Sequence, residues 1–147
     1  MLKDMLNIDE ITFDVEAKDW EDSLRKAGQY LVDTGKISAQ YVENMIQAVH
    51  EKGPYIVIMP GVAFGHARPD DSVYESCLHM IRLKEPVEFG SKYNDPVRVV
   101  FVFASKDEKG HLSVMRNIAK MLVDEDNVNI LINEEQTDLV RALLEHY

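Results

Sequence analysis

His66 stands in the run Gly61-Val62-Ala63-Phe64-Gly65-His66-Ala67-Arg68-Pro69, just past a hydrophobic segment, where loops often carry chemistry. A neutral imidazole nitrogen is a competent nucleophile near neutral pH. Its phosphoramidate can hand a phosphoryl group onward without a metal or cofactor. Gly65 and Ala67 are small enough to leave room for a phosphate and a partner's backbone, and Arg68 offers a planar fork suited to phosphate oxygens. His111 follows Lys109-Gly110 near an expected helix start, where free N–H groups and the helix dipole favour an anion, so it could donate a hydrogen bond to phosphate. The plainer roles are a backbone-bonded loop histidine, a surface arginine and an exposed helix-start residue. Val62, Ala63 and Phe64 are expected to offer an apolar centre for docking a partner. The alternative is burial in the core, where Phe64→Ala would cost stability rather than binding.

Other chemistries lack their anchors. No histidines pair as H-E-x-x-H or H-x-H, and Cys77 is the only cysteine, so neither a metal site nor a disulfide framework is expected. No Gly-rich phosphate cradle or G-x-S-x-G elbow occurs, so phosphate has to arrive already on a protein, and no cofactor is expected. His50 ends a helix, His79 alternates within a strand, and His146 is next to the final residue. The formal net charge of -10 argues against nucleic acid or an anionic membrane and favours a basic protein partner. Met1 to Glu10 carries four charges and no apolar h-region, and no run is long enough to span a bilayer, so a cytoplasmic location is expected.

The elements that must hold these residues follow from periodicity. At 147 residues the chain fits one domain, 1–147, with a sizeable core. Ile11, Phe13 and Val15 alternate as a strand. Trp20, Leu24, Ala27 and Leu31 share a helical face between Asp19 as N-cap and Gly35 as stop. Ser38 restarts a helix with Tyr41, Val42, Met45, Ile46 and Val49 on its apolar face, up to Glu51. Tyr55 to Ile58 reads as a strand broken by Pro60-Gly61, after which His66 lies in irregular chain. Leu78 to Leu83 and Val97 to Phe103 are further strands, with Pro86 and Pro96 marking turns. Lys106 to Gly110 is a polar break, and a helix is predicted from His111 with Leu112, Met115, Ile118, Ala119 and Leu122 in phase. Val128 to Ile132 is too short to assign, and a last amphipathic helix starts near Thr137. Helices before, between and after strands predict an α/β three-layer sandwich, a mixed β-sheet flanked by helices.

The segment Gly53-Pro54-Tyr55-Ile56-Val57-Ile58-Met59-Pro60 leading into Gly61–Pro69 resembles the active-site segment of the fructose/mannitol-type (type 2) enzyme IIA family of the sugar phosphotransferase system. Leu83-Lys84-Glu85-Pro86-Val87-Glu88-Phe89, Asn94-Asp95-Pro96-Val97 and His111 before a helix continue the same order. The resemblance implies that His66 takes phosphate, through Nε2, from the general histidine phosphocarrier protein. It then gives the phosphate to a cysteine of enzyme IIB, assisted by His111. The sugar itself is handled by the membrane enzyme IIC, with no direct sugar binding here. The Gly-Pro-Tyr lead-in, the Arg-Pro after the histidine and the Asn-Asp-Pro-Val stretch are most similar to the L-ascorbate branch. Two positions depart from the family: Gly65 stands where a proline often precedes the histidine, and His50 stands where the mannitol branch has an arginine. Arg68 is the candidate to replace that arginine. A second function within the same resemblance is a regulatory module that reports sugar flux; such domains are usually fused to DNA-binding segments, and because none is expected within these 147 residues the transport role is the expectation.

Overall fold

The computed structural model describes residues 1–147. Two short 3-10 turns, Leu2–Asp4 and Ile8–Glu10, precede β1 (Thr12–Val15), α1 (Trp20–Asp33), α2 (Ala39–Lys52), β2 (Val57–Met59), β3 (Val62–Gly65), β4 (Cys77–Val87) and β5 (Val97–Ala104). Three helices follow, α3 (Glu108–Leu122), α4 (Glu125–Asn133) and α5 (Thr137–His146). The sheet order is β1-β4-β5-β3-β2, with β1 parallel to β4, β3 parallel to β5, and the β4–β5 and β2–β3 pairs antiparallel. This is the mixed sheet that the pattern of elements predicts.

Each face of the sheet is sealed by its own helices. On one side Leu24 and Leu31 of α1 and Tyr41 and Met45 of α2 pack on Ala63, Val100 and Val102. On the other, Ile118, Leu131 and Leu144 of α3, α4 and α5 pack on Val62, Phe64 and Phe101. Every residue of β5 except Arg98 is buried, as a strand covered on both faces requires.

Local signals account for most boundaries. The Asp19 carboxylate accepts the Asp22 N–H at 2.8 Å and starts α1, and Gly35, at φ 73°, supplies the left-handed conformation that stops it. β2 covers Val57–Met59 rather than Tyr55 to Ile58, and four further boundaries differ from the sequence expectation. Asp107 accepts the Gly110 N–H at 2.7 Å, so α3 begins at Glu108 and His111 lies inside its first turn rather than opening it. Asp124 caps α4 through the Asp126 N–H at 2.9 Å, giving Val128 to Ile132 a helix. β4 continues through Pro86, where the β4–β5 register shifts between Arg82 and Val87 and no ladder donor is demanded of the proline. Val62–Gly65 is a strand where irregular chain was expected: both its faces are buried, so it has no polar alternation to read. No helix is long and apolar enough to cross a membrane.

Candidate functional site

Parallel pairing of β3 with β5, Gly65 opposite Val102, brings the ends of both strands to one edge of the sheet. His66 follows β3 directly, and α3 follows β5 after a short Ser105–Asp107 turn. Crevices beyond the carboxyl ends of strands are where α/β sheets place ligands. Side-chain alternation along β3 decides the rest. Val62 and Phe64 point to the α3–α5 side and Ala63 to the α1–α2 side, so His66 continues on the side of Phe64 and meets α3. The His66 and His111 rings are 5.9 Å apart between centroids and nearly perpendicular, and each rests on a core phenylalanine, Phe64 or Phe103.

His66 Nδ1 lies 2.8 Å from the Phe64 carbonyl oxygen. A carbonyl can only accept, so Nδ1 carries the proton and the lone pair is left on Nε2. Burial holds the imidazole below its usual pKa. The bond to Phe64 opposes this, and His111 and Lys52 add to it. At neutral pH His66 is therefore an uncharged imidazole with one defined nucleophilic nitrogen.

A cavity of about 380 Å³ opens at this point, lined among others by His66, Arg68 and His111, together with Lys52, Tyr55 and Leu112. Its fixed cations are Lys52 and Arg68, and Asp107 and Glu108 form part of the wall. The Asp107 carboxylate is engaged as the α3 cap. His50 is turned away from the cavity, pairing with Glu21 at 3.1 Å and lying 5.0 Å from the Trp20 ring. The position of the mannitol-branch arginine thus contributes nothing to this site, whereas Arg68 is in it.

Two expectations are corrected. A Cβ on Gly65 would meet Leu24 at 3.0 Å, the Phe101 carbonyl at 3.2 Å and Met45 at 3.3 Å. Gly65 therefore permits close packing of β3 against α1, α2 and β5 and makes no room for phosphate. Val62, Ala63 and Phe64 have no exposed surface and cannot form a docking centre. The exposed apolar groups at the cavity are instead Leu112, 63% exposed, and Tyr55, 37% exposed.

Three residues at the site have no site role in the sequence reading. The Tyr55 hydroxyl donates to the His66 carbonyl at 2.9 Å, with its ring edge-on 5.4 Å from the imidazole. Lys52 sits 5.8 Å over the Tyr55 ring. The buried Tyr41 hydroxyl donates to the Phe103 carbonyl at 2.6 Å and accepts the Ala67 N–H at 3.0 Å, tying the chain after His66 to the end of β5. The missing signal was the β2–β3 hairpin, because pairing Val57 with Ala63 returns the chain after β3 beside the residues before β2.

Known proteins share this fold. The chain is similar to the ascorbate-specific PTS system EIIA component of Shigella boydii, 31% identical over 135 residues and 88% of each chain. The mannitol-specific cryptic phosphotransferase enzyme IIA of Escherichia coli has the same fold, with a TM-score of 0.88 over 99% of both chains at 22% identity. The mannitol enzyme IIA of E. coli, solved in complex with phosphorylated mannitol enzyme IIB, aligns with a TM-score of 0.79 at 26% identity, covering 93% of this chain and 94% of that one. Residues 4–147 match the family described as phosphoenolpyruvate-dependent sugar phosphotransferase system, EIIA 2, and the chain belongs to that family.

Proposed function

We propose that His66 is the phosphoryl acceptor and that Nε2 is the atom that carries the phosphate. The single observation behind this reading is the 2.8 Å bond from Nδ1 to the Phe64 carbonyl, which leaves Nε2 as the free nucleophile of a residue lining the cavity with His111. Nε2 attacks the phosphorus of the donor's phosphohistidine, forming an N–P bond as the donor's N–P bond breaks. A cysteine thiolate of enzyme IIB then attacks the same phosphorus, and the electron pair of the broken bond returns to Nε2.

His111, across from the His66 ring, donates a hydrogen bond to the phosphoryl oxygens as charge redistributes between them in this reading. Arg68 and Lys52 supply positive charge at the cavity. Leu112 and Tyr55 give the apolar contact against which donor and acceptor dock in turn. The donor is the general histidine phosphocarrier protein, the acceptor is an enzyme IIB, and a membrane enzyme IIC moves the sugar. The exchange takes place in the cytoplasm. The relatives' naming for ascorbate supports L-ascorbate or a related sugar as the substrate of the system served.

The test is acceptor choice. Chain loaded with labelled phosphate is mixed with a panel of enzyme IIB proteins, the ascorbate and mannitol types among them. Fast transfer to the ascorbate type alone is expected, and transfer to none of the panel would contradict the transport role.

A further inference from the structure

At the opposite end of β5 from His66, roughly 17 Å along the strand at its usual rise per residue, lies a second polar cavity of about 330 Å³. No hydrophobic residue lines it. Its walls are Asp14, Arg82, Arg98, Asn133, Glu135 and Thr137. Arg82 is only 4% exposed, and its Nε has no hydrogen-bond partner. Neither Arg82 nor Arg98 has a carboxylate within 4.0 Å, although the chain carries ten more acidic than basic residues.

Part of this arrangement is structural. Arg82 Nη1 donates to the Leu131 carbonyl at 3.2 Å, Arg98 Nη1 donates to the Ile132 carbonyl, and Arg98 Nε donates to the Leu83 carbonyl at 3.0 Å. Two of these bonds satisfy the end of α4, where cations are favoured. They use a minority of the donors that two guanidinium groups carry. The Phe13 ring, 4.8 Å from Arg82 and 5.2 Å from Arg141, covers the guanidinium faces, and the Arg141 N–H groups are taken up by Thr137 and the Ile11 carbonyl. Thr137 opens α5, whose N-cap Gln136 makes no side-chain cap; the Gln136 carbonyl accepts the Leu139 N–H, and the helix start at Thr137 is uncapped at the same cavity. Burial, together with the neighbouring Arg98 charge, acts against the Arg82 cation, while Asp14, Glu134 and Glu135 offset it only at longer range. A buried arginine beside a half-buried one, with spare donors between them, is an arrangement that an anion relieves.

We propose that this cavity is a second anion site, distinct from the His66 centre, which takes a phosphate-class oxyanion, free or as a monoester. Arg82 and Arg98 supply the charge, and the uncapped start of α5 supplies further N–H donors. The Asp14 and Glu135 carboxylates at the same cavity limit its affinity.

The experiment is a titration of the nitrogen-15-labelled chain, with amide and arginine Nε–H signals followed by NMR. Inorganic phosphate and glycerol 3-phosphate are added in separate arms at constant ionic strength, up to tens of millimolar. Saturable shifts at Arg82, Arg98, Thr137 and Asp138 are expected. Equal affinity in the two arms identifies free phosphate as the ligand chemistry, and tighter binding of the monoester identifies a phosphorylated metabolite. Arg98→Gln should weaken binding about tenfold or more. Glu135→Gln, an exposed change with little consequence for folding, should tighten it roughly two- to fivefold. No saturable shift, shifts confined to His66 and His111, or affinities unchanged in Arg98→Gln and Glu135→Gln would overturn the proposal.

Discussion

Tyr41→Phe removes a single oxygen from the core and tests whether that oxygen holds the site together. The side chain is 1% exposed, so phenylalanine fills the same space and creates no cavity. Lost with the oxygen are the bond to the Phe103 carbonyl at 2.6 Å and the acceptor for the Ala67 N–H at 3.0 Å. Each buried group left without its partner costs about 1–3 kcal/mol. Water can reach the half-buried Ala67 more easily than the Phe103 carbonyl, so the sum should fall near 2–3 kcal/mol, a melting-point loss of roughly 5–10 °C for a chain of this size. Ala67 adjoins His66, and Phe103 lies against the His111 ring, so the same change should loosen both histidines and slow phosphoryl uptake without removing the acceptor. Urea denaturation and rapid-quench uptake on the same protein are the assays. A stability loss under about 0.5 kcal/mol, with uptake at the wild-type rate, would refute the reasoning.

Phe64→Ala should cost about 3–5 kcal/mol, because the ring is fully buried against Phe101 and Phe103; a normal melting curve would contradict its place in the core. His79 is 2% exposed, has an unpartnered Nδ1 and stacks on Tyr30 at 4.6 Å, and burial pushes its pKa down to about 4. Unfolded chain therefore binds a proton that the native state does not between the usual 6.5 and about 4. Stability should fall by about 3 kcal/mol as pH drops through that window and less in His79→Leu, so superimposable pH–stability curves would contradict this. His111→Ala should still accept phosphate but pass it to enzyme IIB roughly 10- to 100-fold more slowly, measured by rapid quench, and equal rates would remove His111 from the site.

Much of this architecture is legible in the chain because its signals are local. Asp19, Gly35 and the heptad-like spacing of α1 and α2 mark both helices, and the apolar run of β5 marks a central strand. His66 is conspicuous for the same reason, since a histidine between small residues after an apolar segment needs no tertiary information to stand out. What was missed depends on pairing. β3 is four residues long and buried on both faces, so its apolar residues look like an exposed loop until β5 is placed beside it. From that one omission followed the misplaced docking role of Val62, Ala63 and Phe64. The role given to Gly65 failed differently: the space its missing Cβ leaves is already filled by Leu24 and Met45, side chains from two other elements. Tyr41, Tyr55 and Lys52 act on the site through contacts set by α2 and the hairpin, which no spacing in the sequence encodes.

The central claim is that phosphate resides on Nε2 of His66. The most direct measurement phosphorylates the nitrogen-15-histidine-labelled chain from phosphoenolpyruvate through the general phosphotransferase proteins and locates phosphorus by its coupling to ring nitrogens, with His66→Ala in parallel. The account predicts one acid-labile phosphate coupled to His66 Nε2 and an unlabelled His66→Ala. Coupling to Nδ1, or strong labelling of His66→Ala, would contradict it.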